Sequence, residues 1–142
     1  MTTYDDDNIF AKILRGEIPS HRVYEDDDVL VIMDVMPQAD GHTLVIPKAP
    51  SRNLLDADPI ALGAVIATTQ LVAQASKRAF HADGITIQQF NEAAGGQSVF
   101  HLHFHVIPRH DGQPLKPHTG QMADQAALAA HCDKIKAEMS VR

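Results

Sequence analysis

Cysteine is nearly absent from this 142-residue chain, Cys132 being the only one. A lone thiol cannot form an intrachain disulfide, which suits a reducing compartment. Basic residues are also in deficit. Twelve Lys and Arg stand against eighteen Asp and Glu, a formal net charge of −6, whereas a nucleic-acid-binding surface needs clustered positive charge. Any phosphate ligand must therefore be held locally. No apolar run approaches the roughly 20 residues of a membrane span, and the acidic start MTTYDDDNIF lacks the apolar segment of a signal peptide. The expectation is a cytoplasmic protein with no nucleic-acid and no membrane partner.

What is present is ordinary globular material, 44% hydrophobic and 21% charged, and the length suits one domain over residues 1–142 with a real core. NIFAKILRGEIP carries apolar Ile9, Phe10, Ile13 and Leu14 at helical spacing, with Asp7 or Asn8 as cap and Gly16 just past the end. HRVYEDDDVLVIMD reads as a hairpin whose acidic cluster, Glu25 to Asp28, is a solvated turn. HTLVIPK, residues 42–48, is a third strand.

A longer helix follows, capped by Asp58 with Pro59 in its first turn and marked on one face by Leu62, Val65, Ile66, Thr69, Val72 and Ala73. Gly84 is expected to end that stretch. Residues 84–91 and 99–108 then read as a fourth and a fifth strand, and ADQAALAAHCDKIKAEM returns to helical spacing through Leu128, Cys132, Ile135 and Met139. Clustered strands with few helices predict an α+β fold with an antiparallel sheet.

The chemistry concentrates in HLHFHVIPRH, where His101, His103 and His105 alternate with Leu102, Phe104 and Val106. On a strand that spacing sends the imidazoles to one face and the apolar residues to the other. Metal binding is the first rival reading, since histidine is the commonest metal ligand. Yet the outer two lie roughly 13 Å apart along an extended backbone, too far for all three to share one ion at about 2.0–2.1 Å. A row of imidazoles can instead divide labour on a phosphate ester, one attacking, one holding oxygens and one fixing its neighbour's tautomer. The preceding loop NEAAGGQS supports this, because Gly95 and Gly96 let consecutive N–H groups converge on an anion, and Ser98 adds a hydroxyl.

GGQSVFHLHFHV resembles the signature of the histidine triad (HIT) superfamily, and NIFAKILRGEIPSHRVYEDDDVLVIMDVMPQADGHTLVIPK resembles the N-terminal half of its Hint-like members. The resemblance implies a HIT-like fold with about five antiparallel strands, a short N-terminal helix, a long central helix and a C-terminal helix. It implies a hydrolase or transferase acting at the α-phosphate of nucleoside monophosphate derivatives. His103 would be the nucleophile, forming a covalent nucleotidyl-histidine; His105 would contact phosphate oxygens, and His101 and His42 would support the triad. Ser98 would face the leaving group, with Gly96, Gln97 and Val99 placing donors around the phosphate. Asp34 matches the carboxylate that accepts ribose hydroxyls, and Asn91 the amide near ribose and phosphate. Phe10, Ile13 and Ile32 are pocket candidates by resemblance, although apolar residues in such elements are more often core.

The resemblance further implies a purine nucleotide partner, an AMP or GMP derivative, and a homodimer joined edge to edge through its sheets. Many bacterial relatives carry Cys-x-x-Cys with a structural zinc at the first helix, where this chain has Asn8 and Ala11, so no metal and no other cofactor is expected. Nucleoside phosphoramidates are favoured over dinucleoside polyphosphates, although the Pro-Arg ending at Arg109 resembles hydrolases of the latter. Alternatives are a non-catalytic nucleotide-binding module and a zinc protein using the histidine strand. His21, His81, His110, His118 and His131 lack a partner motif and are expected to serve surface or packing roles.

Overall fold

The computed structural model describes residues 3–117 and 122–140, so the expectation for His118 lies outside the described residues. The chain enters through α1 (Ile9–Leu14), whose first turn is capped by the Asn8 side chain accepting from the Ala11 N–H. Gly16, at φ +80°, releases the backbone just after it. β1 (Arg22–Glu25) and β2 (Val29–Met33) form the expected hairpin, and its turn is closed by the Asp26 carboxylate accepting from the N–H groups of Asp28 and Val29. β3 (Thr43–Pro47), α2 (Pro59–Ala79), β4 (Gly84–Gln88), β5 (Phe104–Arg109) and α3 (Gln125–Met139) complete the fold. The five strands make one antiparallel sheet in the order β1-β2-β3-β5-β4, the α+β arrangement expected.

Every residue of β2 and β3 is buried, because both faces of the central strands are covered. One face meets α2 and α3 through Val29, Val31, Val45, Phe104 and Val106, packed with Val65, Val72, Leu128 and Ile135. The other face gathers Leu30, Ile32, Leu44 and Ile46 beneath Phe10 and Ile13 of α1. Alternation along each strand makes this division, since successive side chains point to opposite sides.

Several boundaries differ from the sequence reading. α2 ends at Ala79 with Phe80 as its C-cap, and Gly84 opens β4 rather than ending the helix. β4 stops at Gln88, which leaves Asn91 in the following loop. On α2 the buried face runs through Val65, Thr68, Thr69, Val72, Ala75 and Ser76, while Ile66 is 48% exposed. Small Ala75 and Ser76 carry a weak hydrophobic signal, yet they allow the close helix–sheet approach. α2 also corrects the expectation that no segment resembles a membrane span. At 21 residues, with a mean hydropathy of 1.3 over an 18-residue stretch, it is long and apolar enough by those measures, although its inner face packs on β3 and β5 like a core helix.

A candidate nucleotidyl-transfer site

The histidine row does not lie wholly in a regular strand. β5 begins only at Phe104, so His101, Leu102 and His103 approach it as an extended lead-in while keeping the alternation. Leu102, Phe104 and Val106 join the core under α2. His105 pairs across the sheet with Leu44, which belongs to the opposite face. All three imidazoles are buried, and they are joined by His42, fully buried at the entrance to β3.

Hydrogen bonds fix the protons on these rings, a deduction from partner chemistry. His101 Nε2 lies 2.8 Å from the Pro47 carbonyl oxygen, which can only accept, so His101 carries its proton there. Its Nδ1 then accepts from the Tyr4 hydroxyl at 2.6 Å, and that hydroxyl in turn accepts from the Asn8 amide. Burial holds the His101 pKa below its ordinary value, in keeping with a neutral ring. His103 Nδ1 donates to the His101 carbonyl oxygen at 2.7 Å, which puts the lone pair of a neutral His103 on Nε2.

His42 runs the opposite way. Its Nδ1 accepts from the Gln38 N–H at 3.1 Å, so its proton sits on Nε2 and is donated to His105 Nδ1 at 2.9 Å. His105 consequently carries its own proton on Nε2. With ring centroids 5.0 Å apart, His103 and His105 form a pair of opposite character, a nucleophilic nitrogen beside an N–H donor. The ring of Phe10 packs edge-on against His103 at 4.8 Å, whereas Ile13 and Ile32 lie within the small core under α1.

Asp34 stands beside His42. One carboxylate oxygen accepts from the Met36 N–H at 2.9 Å and the other lies 3.5 Å from His42 Nε2. Asp34, His42 and His105 bring ligand-type atoms within 4.8 Å of one another, a spacing that could suit a metal ion. The proton pattern argues otherwise. A metal-bound histidine ordinarily donates its second ring N–H to an acceptor, but His42 uses that nitrogen to accept from Gln38. Its Nε2 therefore offers a proton to the cluster and no lone pair. At α1, Asn8 is engaged as helix cap and as partner of Tyr4, and Ala11 has no donor atom. These residues do not fit a metal.

The glycine-rich loop departs most from expectation. The N–H groups of Gly95, Gly96 and Gln97 do not converge on an open anion site; they donate to the carbonyl oxygens of Ala93 and Glu92 within the loop. The Gln97 side chain is buried and turned inward, accepting from the Glu92 N–H and donating to the carbonyl oxygens of Arg52 and Val99. Asn91 is likewise engaged, its oxygen accepting from Leu54 N–H and its amide donating to Gln89. Ser98 is exposed at the loop's end with Val99 half-buried beside it. Gly96, at φ +101°, lies against the Phe90 ring, where a β-carbon would come within 3.1 Å, and Phe90 contacts His105 edge-on. A left-handed backbone and a close aromatic together require glycine there.

Sequence reasoning missed Tyr4, Gln38 and the pair Arg52–Glu92. Only Asn53-x-x-Asp56 carried a readable signal, a capping box realised in the turn Leu54–Asp56. Arg109 is partly satisfied by Thr86 Oγ1 and the Gln113 carbonyl. His21, His110 and His131 have packing or surface partners in Gln125, the Phe80 carbonyl and the Phe80 ring.

An antiparallel five-stranded sheet with three helices and a row of buried imidazoles is the architecture of the HIT-like nucleotide-binding hydrolases and transferases. The chain belongs to the HIT family, matching its HIT domain over residues 15–112. Its likeness to Adenylylsulfatase HINT3 of Arabidopsis thaliana is 34% identity over 92% of this chain and 70% of that protein. Among solved structures, a Hit-like protein involved in cell-cycle regulation from Bartonella henselae is 58% identical, covering 96% and 99% of the two chains at a TM-score of 0.93. A hypothetical histidine triad nucleotide-binding protein from Sulfolobus tokodaii is 31% identical, covering 92% and 91%, at 0.85.

Proposed function

We infer that the protein hydrolyses purine nucleoside monophosphate derivatives, AMP or GMP joined to an amine, by nucleotidyl transfer through His103. The observation that carries this reading is the hydrogen bond from His103 Nδ1 to the His101 carbonyl, which sets the lone pair on Nε2. In the first step Nε2 forms a bond to the α-phosphorus while the bond from phosphorus to the leaving amine breaks. The amine departs with that electron pair and takes a proton from solvent, with Ser98 as the hydrogen-bond partner on its side. The His103 ring becomes a phosphorylated imidazolium, and its Nδ1–H bond to the carbonyl strengthens as the ring gains charge. Water then attacks phosphorus and gives up a proton to solvent, the N–P pair returns to Nε2 and the nucleotide is released. Splitting one displacement into two eases each, and the His105 N–H stabilises charge growing on the phosphate oxygens.

Asp34 is assigned to the ribose hydroxyls, and Asn91, Gly96 and Val99 to the rim of the phosphate site. The protein is proposed to be a cytoplasmic homodimer joined along β4, an edge strand that exposes Ile87. The adenylylsulfatase activity named for the Arabidopsis relative makes adenylylsulfate the competing substrate, with sulfate in place of the amine.

The test is AMP release from adenosine phosphoramidate by the wild type and His103→Ala, each with and without a chelator. Chelator-resistant release that disappears in the variant is expected. AMP binding without release from either this compound or adenylylsulfate would instead make the protein a nucleotide-binding module.

A further inference from the structure

Glu92 holds a backbone conformation, φ +66° and ψ 162°, that residues bearing side chains rarely adopt. Its neighbours explain how it stays there. Arg52 grips the Glu92 carboxylate with two hydrogen bonds of 2.8 Å, from Nε and Nη2, and Asn53 adds a third at 2.7 Å. The guanidinium is itself stacked on the Phe100 ring at 4.2 Å, so the clamp has a fixed base. From Glu92 the loop closes on itself: its carbonyl accepts from the N–H groups of both Gly95 and Gln97, and its own N–H donates to the buried Gln97 amide. Gln97 returns to the Arg52 carbonyl at 2.7 Å.

The same segment holds the start of the histidine row, since Leu102 N–H donates to the Ser51 carbonyl at 2.9 Å. Residues 51–53 thus set the loop that ends in Ser98 and the lead-in to His103 relative to each other. The bidentate pair is half-open to water, with the Arg52 side chain 17% and that of Glu92 43% exposed, and its hydrogen bonds hold the loop in one conformation.

We propose that Arg52 and Glu92 form a positioning pair that fixes Ser98 at the leaving-group side of the nucleotidyl site. The pair touches no reacting atom and acts through the loop. The inference rests on the hydrolase reading above and on Ser98 meeting the leaving group. It predicts that loss of the pair is felt in proportion to how much help the leaving group needs.

The experiment is a double-mutant cycle of Arg52→Ala and Ser98→Ala on two substrates, adenosine phosphoramidate with its amine and the p-nitrophenyl ester of AMP with its good leaving group. Arg52→Ala is expected to lower kcat on the amine substrate about 10- to 100-fold, the scale of a misplaced catalytic contact, with KM within about threefold and the ester affected about threefold or less. The double variant should be no slower than the slower single variant. Glu92→Gly provides a second route, because glycine accepts the positive φ without strain and removes the side chain that Arg52 grips; it should reproduce Arg52→Ala, and thermal unfolding reports whether each variant folds. Equal losses on both substrates, or losses that multiply in the double variant, overturn the role of the pair. A wild type inactive on both substrates overturns the hydrolase reading itself, which separates the two failures.

Discussion

The two faces of the sheet are made from the same strands and do different work. On the side of α2 and α3 the partners are Val, Leu, Ile and Phe, closed by 21- and 15-residue helices. On the other side a helix of only six residues covers the apolar patch, and the imidazoles continue the layer where that helix ends. The first face is held by area removed from water, which has no preferred direction. The second has a smaller apolar cluster under α1, and its imidazole half is held by directed hydrogen bonds that also decide where ring protons sit. Stability therefore concentrates on one face and chemistry on the other, one residue apart along residues 101–106.

Neighbouring substitutions across that boundary give the sharpest way to break the comparison. Phe104→Ala, on the helix side, is expected to cost about 3–5 kcal/mol of stability in urea denaturation. His103→Ala, adjacent in sequence, should cost only about 1–2 kcal/mol, chiefly for the carbonyl left without its donor, while removing turnover. Similar unfolding midpoints for the two would show that the faces share the stabilising load. Gly41→Ala is the next largest. Gly41 has φ +85°, and a β-carbon there would lie 2.4 Å from the Phe80 ring, so strain and overpacking together should cost about 2–3 kcal/mol. Because Gly41 leads directly into His42, lower activity should accompany lower thermal stability.

Legibility in the sequence divides along the same line. The helix face was readable because apolar spacing is a statistical signal carried by many residues: the hairpin, the cap at Asp58 and the positions of Leu128, Cys132 and Ile135 all stand where periodicity put them. Ile66 misled because period alone cannot say which edge of an apolar stripe meets the sheet. On the site face, the alternating histidines were visible, and their burial on one side followed from spacing. Their proton pattern was not, since it depends on a carbonyl at Pro47 and a hydroxyl at Tyr4, both distant in sequence from His101, and on a loop N–H at Gln38 whose direction no spacing reveals. The loop misled for a related reason. Gly-Gly reads equally as an anion cradle or a tight turn, and here the donors of Gly95, Gly96 and Gln97 are used to close the turn.

Smaller perturbations probe the directed bonds one at a time. Tyr4→Phe removes the hydroxyl that links Asn8 to His101 and leaves the His101 Nδ1 without that donor. The expected loss is about 1–1.5 kcal/mol, read by thermal unfolding at neutral pH. The core face should be indifferent, so Tyr4→Phe combined with Phe104→Ala is expected to be additive within about 0.5 kcal/mol.

The smallest effect is a pH dependence confined to the site face. Burial lowers the His101 pKa below its ordinary value, about 6.5 for a free histidine. Above that value folded and unfolded chains both hold the ring neutral, and stability does not depend on it. As pH falls below about 6.5 the unfolded chain takes up a proton that the folded one refuses, so this contribution lowers stability, by less than about 1 kcal/mol at pH 6. Unfolding midpoints at pH 7.5 and 6.0 should therefore fall further apart for the wild type than for His101→Gln, whose amide does not titrate. A difference of the opposite sign would mean that the folded protein prefers a charged His101, whose Nδ1 would then donate to the Tyr4 hydroxyl, while the His103 lone pair, set through the His101 backbone carbonyl, would stay where it is.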